Sequence, residues 1–231
     1  MNLNQLYYLQ AIAQARGLTR AADALYVTQS NLSHSMAALE EELGIPLSEL
    51  DYHQTGMIGE SYTGITTTLG AIEAKRTTAW PEMGALCVRL LHEAGVRSGD
   101  TVGAGFSGSF PAMDLAVIAA CQVMGVELIY ISSVGASTYG ANHPALTFPE
   151  MAHRLGEDGL LETDSAAVTL GGGGDVGGGM DPACAEEIRV GWRRRDCSCW
   201  RSRTTGAIWS CASSSISRRA PSTALWQWEA T

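Results

Sequence analysis

The chain has 231 residues, 45% of them hydrophobic and only 17% charged, with a formal net charge of −9. That composition excludes a chain disordered throughout, and no apolar run approaches the roughly 18 residues that suggest a membrane-spanning helix. Charge is unevenly spread: residues 1–188 hold 7 basic and 22 acidic side chains, whereas residues 189–231 hold eight arginines and two acids. The overall balance is not that of a generic nucleic-acid binder, which needs clustered Lys and Arg. Cys197, Cys199, Cys211 and five of the six tryptophans also lie beyond residue 188. No charged region followed by an apolar stretch opens the chain, so a cytoplasmic setting with free thiols is expected.

Leu6, Leu9, Ile12 and Ala13 recur at helical spacing up to Arg16 and Gly17. Thr19 is placed to cap a second short helix carrying Ala21, Ala22 and Leu25. Thr28 is placed to cap a third, on which Leu32, Met36, Leu39 and Leu43 share a face before Gly44 and Pro46 stop it. Three short helices with a tight link between the last two predict a helix-turn-helix. The start of the last helix is the part that enters the major groove. Thr28, Gln29, Ser30, Asn31, Ser33 and His34 stand there. Gln and Asn reach adenine edges or phosphates, and Ser and Thr bind either. Arg20 and Arg16 are the cations available for the DNA backbone.

Specific runs carry a family resemblance. Met1-Asn2-Leu3-Asn4-Gln5-Leu6, Thr19-Arg20-Ala21-Ala22-Asp23-Ala24-Leu25, Thr28-Gln29-Ser30-Asn31-Leu32-Ser33 and Leu39-Glu40 through Leu43-Gly44 to Leu47 follow one another in order. Residues 2–47 thereby resemble the DNA-binding domain of the LysR-type transcriptional regulators. The resemblance implies a regulator that binds duplex DNA. In that family a Phe, an Arg, an Arg-rich wing and a dimerising linker helix follow. Here Ser48-Glu49-Leu50-Asp51 follows Leu47. A truncated winged helix is therefore expected, without the wing's phosphate contacts or the dimer arm, and both an inert remnant and a DNA-binding head stay open.

Beyond residue 50 the pattern changes. Glu73–Arg76 fits a helix or its end, and Pro81 starts a stronger helical pattern with Met83, Leu86, Cys87, Leu90 and Leu91. Asp100–Gly105 reads as a short buried strand. The glycine-rich turn 105–111 then opens a helix closed by Gly125, and Val126–Ile131 reads as a second strand. Strand, turn, helix, strand is a βαβ unit with parallel strands. Pro149–Leu155 is an expected helix, Ala166–Leu170 a third strand, and Asp181-Pro182 starts a helix running to Ile188.

In open α/β sheets, ligands sit at the carboxyl ends of strands. The loops 105–111, 132–143 and 171–180 leave such ends. Gly105, Ser107, Gly108, Ser109, Gly172 and Gly173 are the candidate ligand-loop residues, with a small anionic ligand held by backbone N–H groups. The candidate catalytic groups are Ser107, Ser109, Asp114 and Asp175; His143 and Asp164 are further acid–base candidates. The spacing Gly103-x-Gly105-x-x-Gly108 matches a nucleotide fingerprint only in part. Histidine and cysteine spacing predicts no metal site, and no cofactor is expected.

A second resemblance rests on Tyr62-Thr63 through Thr66-Thr67-Thr68-Leu69-Gly70 and Glu73-Ala74-Lys75-Arg76-Thr77. Gly105–Ala112, Ser132–Asn142 and the Gly171–Met180 loop extend it. Residues 52–188 resemble the poly-gamma-glutamate system proteins, which implies a part in making or exporting that polymer at the membrane. Residues 189–231 show neither a strand nor a helix period. That is the mix a shifted reading frame yields, with a basic nucleic-acid arm as the other reading.

The expected fold class is therefore α/β. A helix-turn-helix domain over 1–47 precedes an incomplete three-layer α/β region with parallel strands over 51–188, and the tail over 189–231 is expected to be disordered. The expected function is DNA-binding transcriptional regulation. The alternatives are a poly-gamma-glutamate accessory protein or enzyme, and a non-functional gene fusion. Whether the chain is an enzyme stays open, as does its oligomeric state.

Overall fold

The computed structural model describes residues 3–15, 17–42, 50–52, 55–194 and 224–225. The chain divides into two compact units, Met1–Gln54 and Thr55–Thr231.

The first unit holds three helices: α1 (Leu3–Ala15), α2 (Leu18–Leu25) and α3 (Gln29–Glu42). Ala21, Ala22 and Leu32 are buried at its centre, with Tyr8, Ile12, Leu25 and Val27 packed around them. The small alanines let α2 approach its neighbours closely. The buried face of α1 differs from the expected one. Gln5 is 6% exposed, whereas Leu6 and Leu9 are 41% and 48% exposed and Ala13 faces outward. The inward face runs through Gln5, Tyr8, Ile12 and Ala15, and of the expected stripe Leu6, Leu9, Ile12 and Ala13 it keeps Ile12 alone. Thr19 does not cap α2 either: Gly17 stands at the cap without a side-chain bond, and Thr19 lies inside the helix. The third cap is as expected, since Thr28 Oγ1 accepts the Asn31 N–H at 3.2 Å. The link between α2 and α3 turns at Tyr26, whose left-handed backbone (φ 55°) closes the second helix. Expectations placed on Arg16 and on the Gly44–Pro46 stop lie outside the described residues.

The second unit is α/β. In chain order it runs β1 (Thr66–Thr68), α4 (Ile72–Thr78), α5 (Glu82–Glu93), β2 (Thr101–Ser107), α6 (Pro111–Met124) and β3 (Glu127–Ser133). There follow β4 (Ala136–Ser137), β5 (Asn142–His143), β6 (Leu146–Thr147), α7 (Phe148–Glu157) and β7 (Ala167–Thr169). The last are β8 (Gly171–Gly172), β9 (Val176–Gly178), α8 (Pro182–Arg194) and β10 (Ala224–Leu225). The central sheet is parallel, in the order β10-β2-β3-β7. The strand β2, the helix α6 and the strand β3 form the expected βαβ unit, in register from Thr101↔Glu127 to Ser107↔Ser133. Pro111 suits the first turn of α6, where its missing N–H costs nothing. Gly125, at φ 65°, takes the left-handed position that ends the helix.

One face of the sheet packs Val102, Phe106, Leu128 and Tyr130 against Ile118 and Cys121 of α6 and Phe148 and Ala152 of α7. The rings of Phe106 and Tyr130 stand 5.0 Å apart, and Phe148 meets Phe106 edge-on at 6.0 Å. Sheet and helical layer are two of the three expected layers. A second cluster gathers Ile65, Val134, Val168, Leu170, Met180, Ala185 and Ile188. The helix after Asp181 runs to Arg194, beyond the expected end at Ile188. Asp181 Oδ1 caps it by accepting the N–H groups of Ala183 and Cys184 at 2.8 and 3.1 Å. Of the tail, Ala224 and Leu225 pair with Val102 and Gly103 as a parallel strand; the expectation for residues 195–223 and 226–231 lies outside the described residues. Among the described residues no helix is long and apolar enough to cross a membrane.

Candidate functional site

In the first unit the expected DNA-contacting residues other than Arg20 stand at the start of α3. Thr28, Gln29, Ser30, Asn31 and His34 are exposed at the start of α3, Ser33 is half-buried, and Arg20 is exposed on α2. Leu32, fully buried between them, anchors the helix while its neighbours face outward. The Thr28 cap uses the Asn31 N–H, so the first turn is fixed by the chain itself.

In the second unit the polar groups converge at the carboxyl ends of β2 and β3. The turn after β2 is shorter than expected: Gly105 and Ser107 belong to the strand, and Gly108 follows it. Ser107 Oγ accepts the Ser109 N–H at 3.1 Å and donates to Ser109 Oγ at 3.0 Å. The Gly108 N–H goes to the Ser133 carbonyl and the Asp114 N–H to Phe110 O. The Gly108 and Ser109 amides, two of those expected to hold an anion, are thus engaged within the fold. Ser109 Oγ in turn accepts the Ser137 N–H at 3.0 Å.

Lys75, the single lysine of the chain, comes to the same place from α4. It is 3% exposed. Its Nζ lies 2.7 Å from Ser137 Oγ, donates to the Ser109 carbonyl, and stands 3.4 Å from the centre of the Phe110 ring. Burial lowers the Lys75 ammonium to about 8, with the charge of Asp114 opposing. Asp114, in the first turn of α6, is pushed well above the usual carboxylate range by burial, against the pull of Lys75. Its Oδ2 is buried with no hydrogen-bond partner.

A clamp of hydrogen bonds holds this region together. Asn142, fully buried, accepts the Glu60 N–H at 2.9 Å through Oδ1, and its Nδ2 donates to Glu60 O and Thr66 Oγ1. Thr138 Oγ1 accepts the Gly70 N–H at 2.7 Å and donates to Gly70 O at 2.9 Å. Strand β1 pairs with β4 through Thr66↔Ala136 and Thr68↔Ser137, which sets Ser137 opposite α4.

The glycine strap 171–180 packs on the same end. A side chain at Gly171 would meet Ser133 at 3.0 Å, and one at Gly172 would meet Gly178 O at 2.3 Å. Gly173 N–H bonds to Gly178 O at 3.0 Å, and Asp175, at the tip, accepts Thr169 Oγ1–H at 2.7 Å. Of the other acid–base candidates, Asp164 pairs with His153 at 2.8 Å, and His143 Nδ1 accepts the Ala145 N–H at 3.3 Å. Among the described residues no group of three His, Cys, Asp or Glu is placed to hold a metal ion.

Sequence reasoning named Ser107, Ser109 and Asp114 but not Lys75 or Ser137 as site residues. One signal was available: a chain with 15 basic residues of which a single one is lysine.

Comparison with known proteins bears on the first unit. Residues 3–56 match the family model described as "Bacterial regulatory helix-turn-helix protein, lysR family". Over 49 residues the chain is 47% identical to the hydrogen peroxide-inducible genes activator of Pectobacterium carotovorum subsp. carotovorum. It is equally similar to the DNA-binding transcriptional dual regulator OxyR of Escherichia coli (strain K12). Each match spans 21% of this chain and 16% of the relative. The HTH-type transcriptional regulator BudR of Klebsiella aerogenes is 49% identical over 47 residues, 20% of this chain and 33% of BudR. The chain therefore spans about a sixth of the length of the first two relatives. Among solved structures, CrgA, a LysR-type transcriptional regulator from Neisseria meningitidis, is 20% identical over 58% of this chain and 43% of its own, with a TM-score of 0.19.

Proposed function

We propose that this chain, whose N-terminal unit is a LysR-type helix-turn-helix domain, binds duplex DNA through the start of α3 and acts in transcriptional regulation. The observation that carries the reading is the outward face of Gln29, Ser30, Asn31 and His34 on a helix anchored by the buried Leu32. Gln29 and Asn31 present amides to base edges, Thr28, Ser30 and Ser33 bond phosphates or bases, and Arg20 meets the backbone. The curated relatives are regulators by name, one of them a DNA-binding transcriptional dual regulator. The test is fluorescence anisotropy of the intact chain on labelled duplexes, with Gln29, Ser30 and Asn31 all changed to alanine as the comparison. The expected result is salt-sensitive binding that the triple variant loses. An unchanged affinity in that variant would sink the reading.

A second reading concerns the α/β unit: an accessory protein or enzyme of poly-gamma-glutamate synthesis or export. It is favoured by the meeting of three separate motif stretches, Thr66–Arg76, Ser107–Ser109 and Ser132–Asn142, around one polar centre. Glutamate polymer should then slow hydrogen exchange in 105–111 and 171–180; unchanged exchange counts against it.

A further inference from the structure

We propose that the α/β unit holds a serine–lysine acyl-transfer centre, in which Ser137 is the nucleophile and Lys75 its general base, acting on carboxylic esters or amides. The inference rests on neither reading above.

A serine hydroxyl becomes a useful nucleophile when a base lies within hydrogen-bond reach and is itself held in place. Ser137 Oγ and Lys75 Nζ are 2.7 Å apart. Ser137 is positioned by the β1–β4 pairing and by its N–H bond to Ser109 Oγ. A neutral lysine amine has two hydrogens and one lone pair. As an ammonium, Nζ donates to the Ser109 carbonyl and to Ser137 Oγ and faces the Phe110 ring; loss of its proton leaves a lone pair to accept the Ser137 hydroxyl hydrogen. Burial of Lys75 favours that neutral form. Asp114 is the charged group that faces Lys75, from α6. Its own burial favours the protonated carboxyl, and it forms no hydrogen bond through Oδ2 that would clamp an ammonium.

Two further features suit the chemistry. Ser109 Oγ accepts bonds from Ser107 Oγ–H and Ser137 N–H, which leaves the Ser109 hydroxyl hydrogen to donate to a developing oxyanion. Gly70 covers Ser137 with a hydrogen alone: a Cβ there would stand 2.9 Å from Ser137 Oγ and 3.4 Å from Lys75 Cε. Ser137 and Lys75 are 5% and 3% exposed, and half-buried Gly70, Ser109 and Phe110 cover them.

In the reaction, Ser137 Oγ bonds to the acyl carbon as its proton passes to Lys75 Nζ. The tetrahedral species then breaks its C–O or C–N bond, and the leaving group takes the proton from Lys75. Water adds to the Ser137 ester with Lys75 again accepting a proton. The acid is released as that proton returns to Ser137 Oγ.

The test is covalent labelling of the intact chain with a fluorophosphonate probe from about pH 6 to about pH 10, read by peptide mass spectrometry. The expected result is one adduct, on Ser137, at a rate that rises with pH and levels off above a midpoint near 8, where Lys75 loses its proton. Ser137→Ala should abolish the adduct. Lys75→Met, similar in length and apolar, should keep a cooperative melt and slow labelling by about 100-fold or more, the usual scale of base catalysis. No adduct, an adduct on another residue, or an unchanged rate in Lys75→Met overturns the proposal. Should Lys75→Met fail to melt cooperatively, the native chain decides through the labelled residue and the pH profile: a flat profile overturns it.

Discussion

Lys75 shows how much a single residue's surroundings matter. A lysine ammonium normally stays in water, and this one is 3% exposed beside a carboxyl that is itself buried. The consequence for stability has a definite sign. Lys75 is lowered from 10.5 to about 8, so between those values the unfolded chain binds a proton that the folded chain does not. Stability from this group therefore rises with pH across that window and is lowest below it. Cys121, raised to about 11 by burial, and Tyr130, raised to about 12, act the other way at the alkaline end. The quantity to read is thus the difference between the native chain and Lys75→Met. Between about pH 8 and pH 10.5 the native melting temperature should gain on that of the variant. A constant difference would mean that Lys75 keeps its ordinary ionisation. The contact itself was not legible in the sequence, because Lys75 and Ser137 lie 62 positions apart and their meeting depends on the β1–β4 register.

Among elements, α1 and α3 mark the limits of periodicity. In α1 the apolar spacing selects Leu6 and Leu9, yet the buried face includes Gln5, because small buried alanines on α2 define which side of α1 can approach. In α3 the same kind of reading succeeds for Leu32 and Leu39, both buried. Caps divide in the same way. Thr28 caps because the chain enters α3 from a turn, while Thr19 has already entered α2 and has no free terminus to serve. Thr28→Ala should cost about 1 kcal/mol of stability. That loss should appear as a lower denaturant midpoint of the three-helix unit, followed by a helix-specific probe; no change would mean that the Thr28 bond contributes nothing. The βαβ unit was legible for a local reason. Apolar β-branched strands, Pro111 at the helix start and Gly125 at its end are punctuation read within a few residues.

At the scale of the whole molecule, each compact unit has its own buried core. The three-helix unit brings two arginines, Arg16 and Arg20, to a chain of net charge −9. Two phosphate contacts give a salt slope near −2, so the DNA binding proposed above should weaken about tenfold from 50 to 200 mM salt, far less than a basic-patch protein loses. The charge asymmetry between 1–188 and the remainder was plain in composition, whereas the pairing of Ala224 and Leu225 with β2 was not, since two residues carry no period. The sequence by itself determined the helix-turn-helix, its outward-facing Gln29–Asn31 and the parallel βαβ unit. Local spacing, caps and breakers act over a few residues and leave their mark on the chain. Only the tertiary structure decided which face of α1 is buried, and that Lys75, Ser109, Asp114 and Ser137 meet. Strand register and helix packing join distant positions, and the energy of burying one amine beside one hydroxyl leaves no local pattern to read.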